Sequence, residues 1–269
     1  LGVGIVFLGS LFLFAVIGAL VWDTELARPL SGPSGASPSA EHPFGTDVQG
    51  RDLFAVMIAG TPLTIRIGLI AGLIGVTVGT ILGFTAAYYG GAVDTVIRGF
   101  TDIMLTVPGF LVLLLIAVQV QSSLSVNQMA LVVALLAWRG PTRVIRSQVL
   151  TMRERPYVEV ARLSGQSGPE IIFKEMMPNL LPYLAAALVG AVSAAVLFSI
   201  GLEALGLGPF ESPTLGMTFY WIIFNSALLL GMWWWFIPPI VIIVILFIGL
   251  FNLGVGLDEW ANPRLRRSV

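Results

Sequence analysis

An all-α integral membrane protein is the fold class this sequence predicts, and three features predict it. Of its 269 residues 57% are hydrophobic and 11% charged, where a soluble domain carries roughly 25% charged residues. Mean hydropathy is +0.92. Charge-free runs at 1–22, 67–93, 103–138, 176–202 and 212–257 are long enough for spanning helices, which need about 20 apolar residues each.

These runs predict six transmembrane helices near residues 1–22, 63–88, 103–119, 128–147, 179–201 and 232–256. The polar stretch "QVQSSLSVNQ" (119–128) divides the third run into two helices. The first helix reads as an anchor, because it lacks a basic leader and "VWDTELARP" is a poor cleavage site. The chain opens on Leu1 without Met, so a short preceding tail is expected.

From Arg98 onward the basic residues cluster after the second helix, between the fourth and fifth, and in "NPRLRR" at the C-terminus. Six spans put all three clusters on one side, which the positive-inside tendency makes cytoplasmic together with both termini. A seventh span within 203–231 would carry "RLRR" across, so that stretch is read as an external loop. "WWW" (233–235) then falls at the outer interface, where indole rings prefer to lie. The organisation expected is a first helix, external loop and short amphipathic helix over 1–61, a five-helix core over 62–256 and a tail over 257–269.

Within the external stretch, "RPLSGPSGASPSAEHP" is a Pro/Ser/Gly loop. Thr46 and Gln49 have capping-box spacing for the short amphipathic helix. His42, the sole histidine, reads as a turn residue before Pro43, since no second ligand type clusters with it and no metal site is expected. On the second helix Gly68, Gly72, Gly75, Gly79 and Gly83 form a small-residue stripe that permits close helix packing, within the chain or against a partner.

In "YYGGAVDTVIRGFTDIMLTVPGF" (88–110), Asp94, Arg98 and Asp102 share one helical face with i,i+4 ion-pair spacing. Pro108 is expected to kink the third helix near its start. Arg139, Arg143 and Arg146 form a face at the end of the fourth, suited to anchoring by snorkelling.

The segment 150–178 is the largest charged island between apolar runs. "RERPYVEVARLSG" reads as a helix started by Pro156 and stopped by Gly165, and "PEIIFKEMMP" as a second, with Pro169 in its first turn. Two short amphipathic helices joined at glycines suit docking into a partner's groove. They equally suit an ordinary loop lying on the membrane surface, and physics alone leaves both readings open.

Several function classes are excluded or disfavoured. There is no cysteine for thiol chemistry. G-x-x-x-x-G-K-[ST], H-E-x-x-H and G-x-S-x-G are all absent, so no catalytic residue is assigned and no ATP site is expected in this chain. A secondary transporter would place ionisable groups at membrane depth. In the predicted spans those depths hold no ionisable group, Arg66 and Glu203 falling at helix ends, and what remains inside is mild: Thr77, Thr80, Thr85, Ser193 and Ser199. This pattern favours a conduit that receives substrate from a separate receptor.

"E-V-A-x-x-x-G" followed by "IIFKEMMPN" resembles the EAA loop of permease subunits of binding-protein-dependent ABC importers. "HPFGTDVQGRDLF" (42–54), "YYGGAVDTVIRGFTDIMLTVP" (88–108), "GLEALGLG" (201–208) and "FNLGVGLDEWANPRLR" (251–266) resemble its peptide/nickel branch, in the family's order. The departures are Val160 in the middle of the EAA triplet, Glu175 and Met177 near its end, Leu215 in the external loop and Glu203 where serine is usual.

The resemblance implies a type I ABC importer permease in the cell membrane, importing di- or oligopeptides by alternating access. A nickel chelate, glutathione or an oligosaccharide is the alternative substrate. Implied partners are a homologous second permease, two ABC ATPase subunits that bind ATP and Mg, and an extracytoplasmic solute-binding protein, with no nucleic acid. Glu159, Val160, Ala161, Gly165, Ile171, Lys174 and Pro178 would form the ATPase-coupling surface. Asp94, Arg98 and Asp102 are read as an auxiliary cytoplasmic contact, and Thr80, Thr85, Ser193, Ser199 and Glu203 as substrate-pathway residues.

Overall fold

The computed structural model describes residues 1–119 and 123–261. Part of the 119–128 turn and the tail from residue 262, including Arg264, Arg266 and Arg267, lie outside the described residues. Their regular elements are all helices, joined by loops of which 28–52 is the longest, with one isolated bridge between Thr46 and Asp52. The helices are α1 (Gly2–Val21), α2 (Leu53–Tyr89), α3 (Gly91–Thr106), α4 (Gly109–Gln119), α5 (Val126–Ala137), α6 (Arg139–Met152), α7 (Pro156–Leu163), α8 (Gly168–Glu170), α9 (Met177–Ala204), α10 (Leu215–Phe224) and α11 (Trp233–Ala261).

Among the described residues four helices are long and apolar enough to cross a membrane: α1, α2, the continuous helix Gly168–Ala204, and α11. The α3–α4 pair counts as a fifth if its 81° bend is taken as one broken span. α5 is apolar but only 12 residues long, and it continues past Trp138 as α6.

α2 is the central helix, packed on α1, α5, α6 and α9. Its glycine stripe is what allows this. Gly68 and Gly72 lie against Val196 and Val192 of α9, while Gly75, Gly79 and Gly83 lie against Ala137, Pro141 and Arg146. A Cβ at Gly75 would sit 2.6 Å from that of Ala137, and one at Gly79 would sit 2.6 Å from that of Pro141. The stripe is thus a seam within the chain. α1 packs on α11 in the same way, with Gly4 against the Leu253 backbone and Gly249 against Leu8.

Four boundaries differ from the sequence expectation. No separate amphipathic helix precedes α2: the helix begins at Leu53, and Pro62 is carried inside it. Its cap is Asp52, whose carboxylate accepts from Ala55 N at 2.8 Å, not a Thr46–Gln49 box. Thr46 instead braces the preceding loop, donating to Pro33 O and accepting from Ala36 N. His42 contributes a 2.7 Å contact to Asp52. The earlier start moves Arg66 from the head of a helix to its middle.

Secondly, Pro108 breaks the chain between α3 and α4 outright. The α3 carbonyls freed there are met by Arg139, a buried guanidinium 2.6 Å from Met104 O and 3.4 Å from Val107 O. Arg139 is therefore a structural strut and not a snorkelling anchor.

Thirdly, "PEIIFKEMMP" is not an independent helix. It runs into α9 through a π-helical turn, Ile171–Met176. The wider turn accommodates Pro178, which can neither donate a hydrogen bond nor fit behind the carbonyl four residues back. Asn179 Nδ2 donates 2.6 Å to the Glu175 carbonyl there.

Lastly, 203–231 contains α10, ten residues long and tucked against α9, α11 and α2. Of the tryptophan triplet, Trp233 is exposed and Trp235 is fully buried against Leu53, Ile222, Ala227 and Met232.

The seam makes a direct prediction. Gly79→Val should destabilise the protein by about 1–3 kcal/mol through overpacking against α6. Gly99→Ala, where an added Cβ meets nothing within 4 Å, should be near neutral. Thermal unfolding in detergent compares the two.

Candidate functional site

The charged island folds as a platform at one end of the bundle. α7 starts at Pro156, whose missing N–H costs nothing at a first turn. Val158 and Ala161 are buried against Phe84 and Ala87 of α2, Ile145 and Val149 of α6, and Ile171, Ile172 and Met176 of the π turn. α7 stops in a Schellman arrangement: Gly165 N donates to Arg162 O at 3.0 Å and Gln166 N to Ala161 O at 3.2 Å. Gly165 sits at φ +80°, in the left-handed region where a side chain is strained.

Ser167 then caps the next helix. Its N–H and hydroxyl both donate to Glu170, at 2.9 and 2.8 Å. Glu170 also accepts from Lys174 Nζ at 3.3 Å. The Ser167 bonds, backbone first, pull the Glu170 carboxyl down to about 2.

With the inner face committed, the outer face of the island is left bare. Val160 is exposed, Leu163 is 82% exposed and Phe173 67% exposed. Glu159, Arg162 and Lys174 are exposed around them, Arg162 also lying 5.8 Å over the Tyr88 ring. Of the expected coupling residues, Glu159, Val160, Gly165, Lys174 and Pro178 are on this outer surface, whereas Ala161 and Ile171 are buried beneath it. Leu163 and Phe173 were missed from sequence. The signal available was their position on the helix face opposite the buried residues.

The acidic–basic face of α3 meets α6. Arg146 grips Asp94 with two bonds, Nε to Oδ1 at 2.5 Å and Nη2 to Oδ2 at 2.6 Å. The expected i,i+4 pairing of Asp94 with Arg98 is thus replaced by a cross-helix fork. Arg98 and Asp102 line a small polar cleft of about 180 Å³ with Thr142, Arg143 and Arg146.

The expected pathway residues are not brought together. Thr80, Thr85, Ser193 and Ser199 each donate to a carbonyl of their own helix, at 2.7, 2.7, 2.9 and 3.0 Å. Glu203 is fully enclosed. Its Oε2 accepts from Thr214 Oγ1 and, at 3.1 Å, from Met217 N, so it caps α10. Leu215 N donates 3.0 Å to Thr64 Oγ1 on α2, fixing the same corner. A different opening, of about 410 Å³, lies between α4, α5, α6 and α9, and is bordered by Leu113, Leu136, Arg139, Tyr183, Ala191 and Phe198.

This arrangement of apolar helices and an outward-facing charged platform can be set against known proteins. Residues 75–267 match the family model described as "Binding-protein-dependent transport system inner membrane component". Over 277 residues the chain is 32% identical to the dipeptide transport system permease protein DppC of Bacillus subtilis (strain 168), covering 98% of this chain and 82% of that protein. It is 34% identical over 179 residues to the oligopeptide transport system permease protein OppC of Haemophilus influenzae, covering 65% of this chain and 57% of that one. A chain of the MetNI methionine ABC transporter, in inward-facing conformations, superposes with a TM-score of 0.60 over 78% of this chain and 97% of its own. At 17% identity that likeness concerns the fold. The chain belongs to the family of binding-protein-dependent transport system inner membrane components, and is a multi-pass membrane permease.

Proposed function

We propose that this chain is one permease half of an ATP-driven peptide importer, and that the platform of residues 156–178 is where ATPase subunits attach. The observation that carries the reading is the bare outer face of α7 and the π turn. Val160, Leu163 and Phe173 present apolar surface ringed by Glu159, Arg162 and Lys174, while the inner face is bonded through to α2, α6 and α9. A contact made on the outside is thereby connected to the membrane helices.

In this reading six spans cross the membrane, with both termini and the platform cytoplasmic. α3–α4 counts as the third span and α5–α6 as the fourth. The 23–52 loop and α10 face the external solute-binding protein. ATP and Mg reside in the two ATPase subunits, and a homologous second permease supplies the other half of the pathway. Peptide is the substrate proposed because the relatives at 32% and 34% identity carry dipeptide and oligopeptide in their names.

The expected absence of ionisable groups at membrane depth no longer separates an importer from a secondary transporter, since Arg66 sits in the middle of α2. Family membership carries that distinction instead. For the translocation path we favour the opening bordered by Tyr183 and Phe198 over Thr80, Thr85, Ser193 and Ser199, whose hydroxyls are bonded within their own helices.

Closure of the ATPase pair would move the platform, and the continuous Gly168–Ala204 helix would transmit that motion. Nucleotide shifts the equilibrium only by its differential affinity for the two states. Asp94, Arg98 and Asp102 are proposed as an auxiliary cytoplasmic contact, with Asp94 held by Arg146 and the other two available.

Two tests follow from the platform and the cleft. Glu159→Lys reverses an outer-face charge, and Gly165→Pro forbids the positive φ at the turn. Both should insert normally yet abolish substrate-stimulated ATP hydrolysis in reconstituted complexes; normal stimulation in both would rule the platform out as the coupling surface. Arg98→Glu should weaken ATPase co-purification and transport together. If both survive charge reversal, the α3 face is a solvated surface and nothing more.

A further inference from the structure

Arg66 takes part in none of the contacts described above. It lies fourteen residues beyond Asp52 and seventeen before Gly83. Charged layers bracket it at both ends of α2: Asp47, Arg51 and Asp52 at one, and Asp94 with Arg146, packed beside Gly83, at the other. At about 1.5 Å of rise per residue the first layer is about 21 Å away and the second about 26 Å. The side chain is exposed, and among the described residues no carboxylate forms an ion pair with it.

Its surroundings are apolar. Arg66 lines a groove of about 660 Å³ between α1 and α2, floored by α9 and α11. Leu8 and Phe12 on α1, and Leu69 and Leu73 on α2, make two helical ridges along its rims. Such a trough between ridges is the shape a third helix fills. A cation at mid-depth in hydrocarbon is costly unless it is paired, and is found facing a partner or a cavity.

We infer that the groove seats a transmembrane helix of the second permease subunit, and that this helix carries an aspartate or glutamate at mid-depth that pairs with Arg66. The inference rests on the two-permease reading above. A phospholipid headgroup does not meet the need, because a hydrocarbon core about 30 Å thick holds phosphates well away from its centre. A second copy of this chain does not meet it either. The acids of this chain all lie outside its charge-free runs, and Glu203, which directly follows one of them within α9, is fully enclosed.

The test uses the full chain co-expressed with the second permease and the ATPases, solubilised in mild detergent. The second permease recovered per copy of this chain is measured for wild type, Arg66→Lys, Arg66→Gln and Arg66→Glu, with a photo-crosslinker placed at Leu69. Recovery should fall about tenfold or more in the Gln and Glu variants, as for a buried charge pair losing one member, and should persist with Lys. Removing the charge eases membrane insertion, so equal membrane levels show that the loss is one of assembly. The Leu69 crosslink should reach the second permease.

Unchanged recovery in Arg66→Glu, or crosslinks only to lipid or to a second copy, overturns the assignment while leaving the two-permease reading intact. Normal assembly with reduced uptake also overturns it, and moves Arg66 to the substrate path. Failure of the wild-type chain to recover any second permease defeats the two-permease reading itself, and this inference with it.

Discussion

Backbone-to-backbone contact along α2 is the constraint on which the other elements depend. In lipid, apolar side chains gain little from leaving one apolar medium for another, so helices associate through close packing. The five glycines of α2 supply that closeness on a curved strip, first against α9 and then against α5 and α6. Because α9 and α6 are both indexed to α2, they are indexed to each other. The island between them, 153–176, is therefore suspended from two fixed points.

The remaining polar groups act as local fasteners on this frame. Arg139 meets the carbonyls where Pro108 stops α3, Arg146 forks onto Asp94, and Glu203 caps the short α10. Each joins segments that the glycine seam has already brought near. Each also satisfies groups that would be expensive to leave bare in an apolar setting. The charged surface of the platform is different in kind, since Glu159, Leu163 and Phe173 are exposed and lie outside the packed inner face.

Much of the helical layout was legible because apolar runs and charge clusters are first-order features of the sequence. α1 and α11 fall within a few residues of the runs that predict them. Three of the boundaries that differ turn on a proline. Pro62 and Pro178 sit inside continuous helices, where packing and a widened turn absorb the missing donor, whereas Pro108 breaks its helix completely. Composition does not distinguish these cases, because the outcome depends on what lies against the freed carbonyl. Long-range pairs were likewise invisible. Asp94 has an arginine four residues away and uses one 52 residues away. At the candidate site, the turn at Gly165 and the island itself could be read directly, while the division into a buried and a bare face needed the neighbours of α7.

The π turn at Ile171–Met176 has a consequence for angular phase. An α-helix advances about 100° per residue, so the extra residue held in that turn rotates everything before it relative to everything after it. The bare face of the platform and the faces of α9 that meet α2 are thus set at an angle that a regular helix of the same sequence length would not produce. Substitutions on either face leave this angle alone, whereas gain or loss of a single residue in the turn would swing the whole outer surface to a new bearing. The permease can vary what its platform presents without altering where it points.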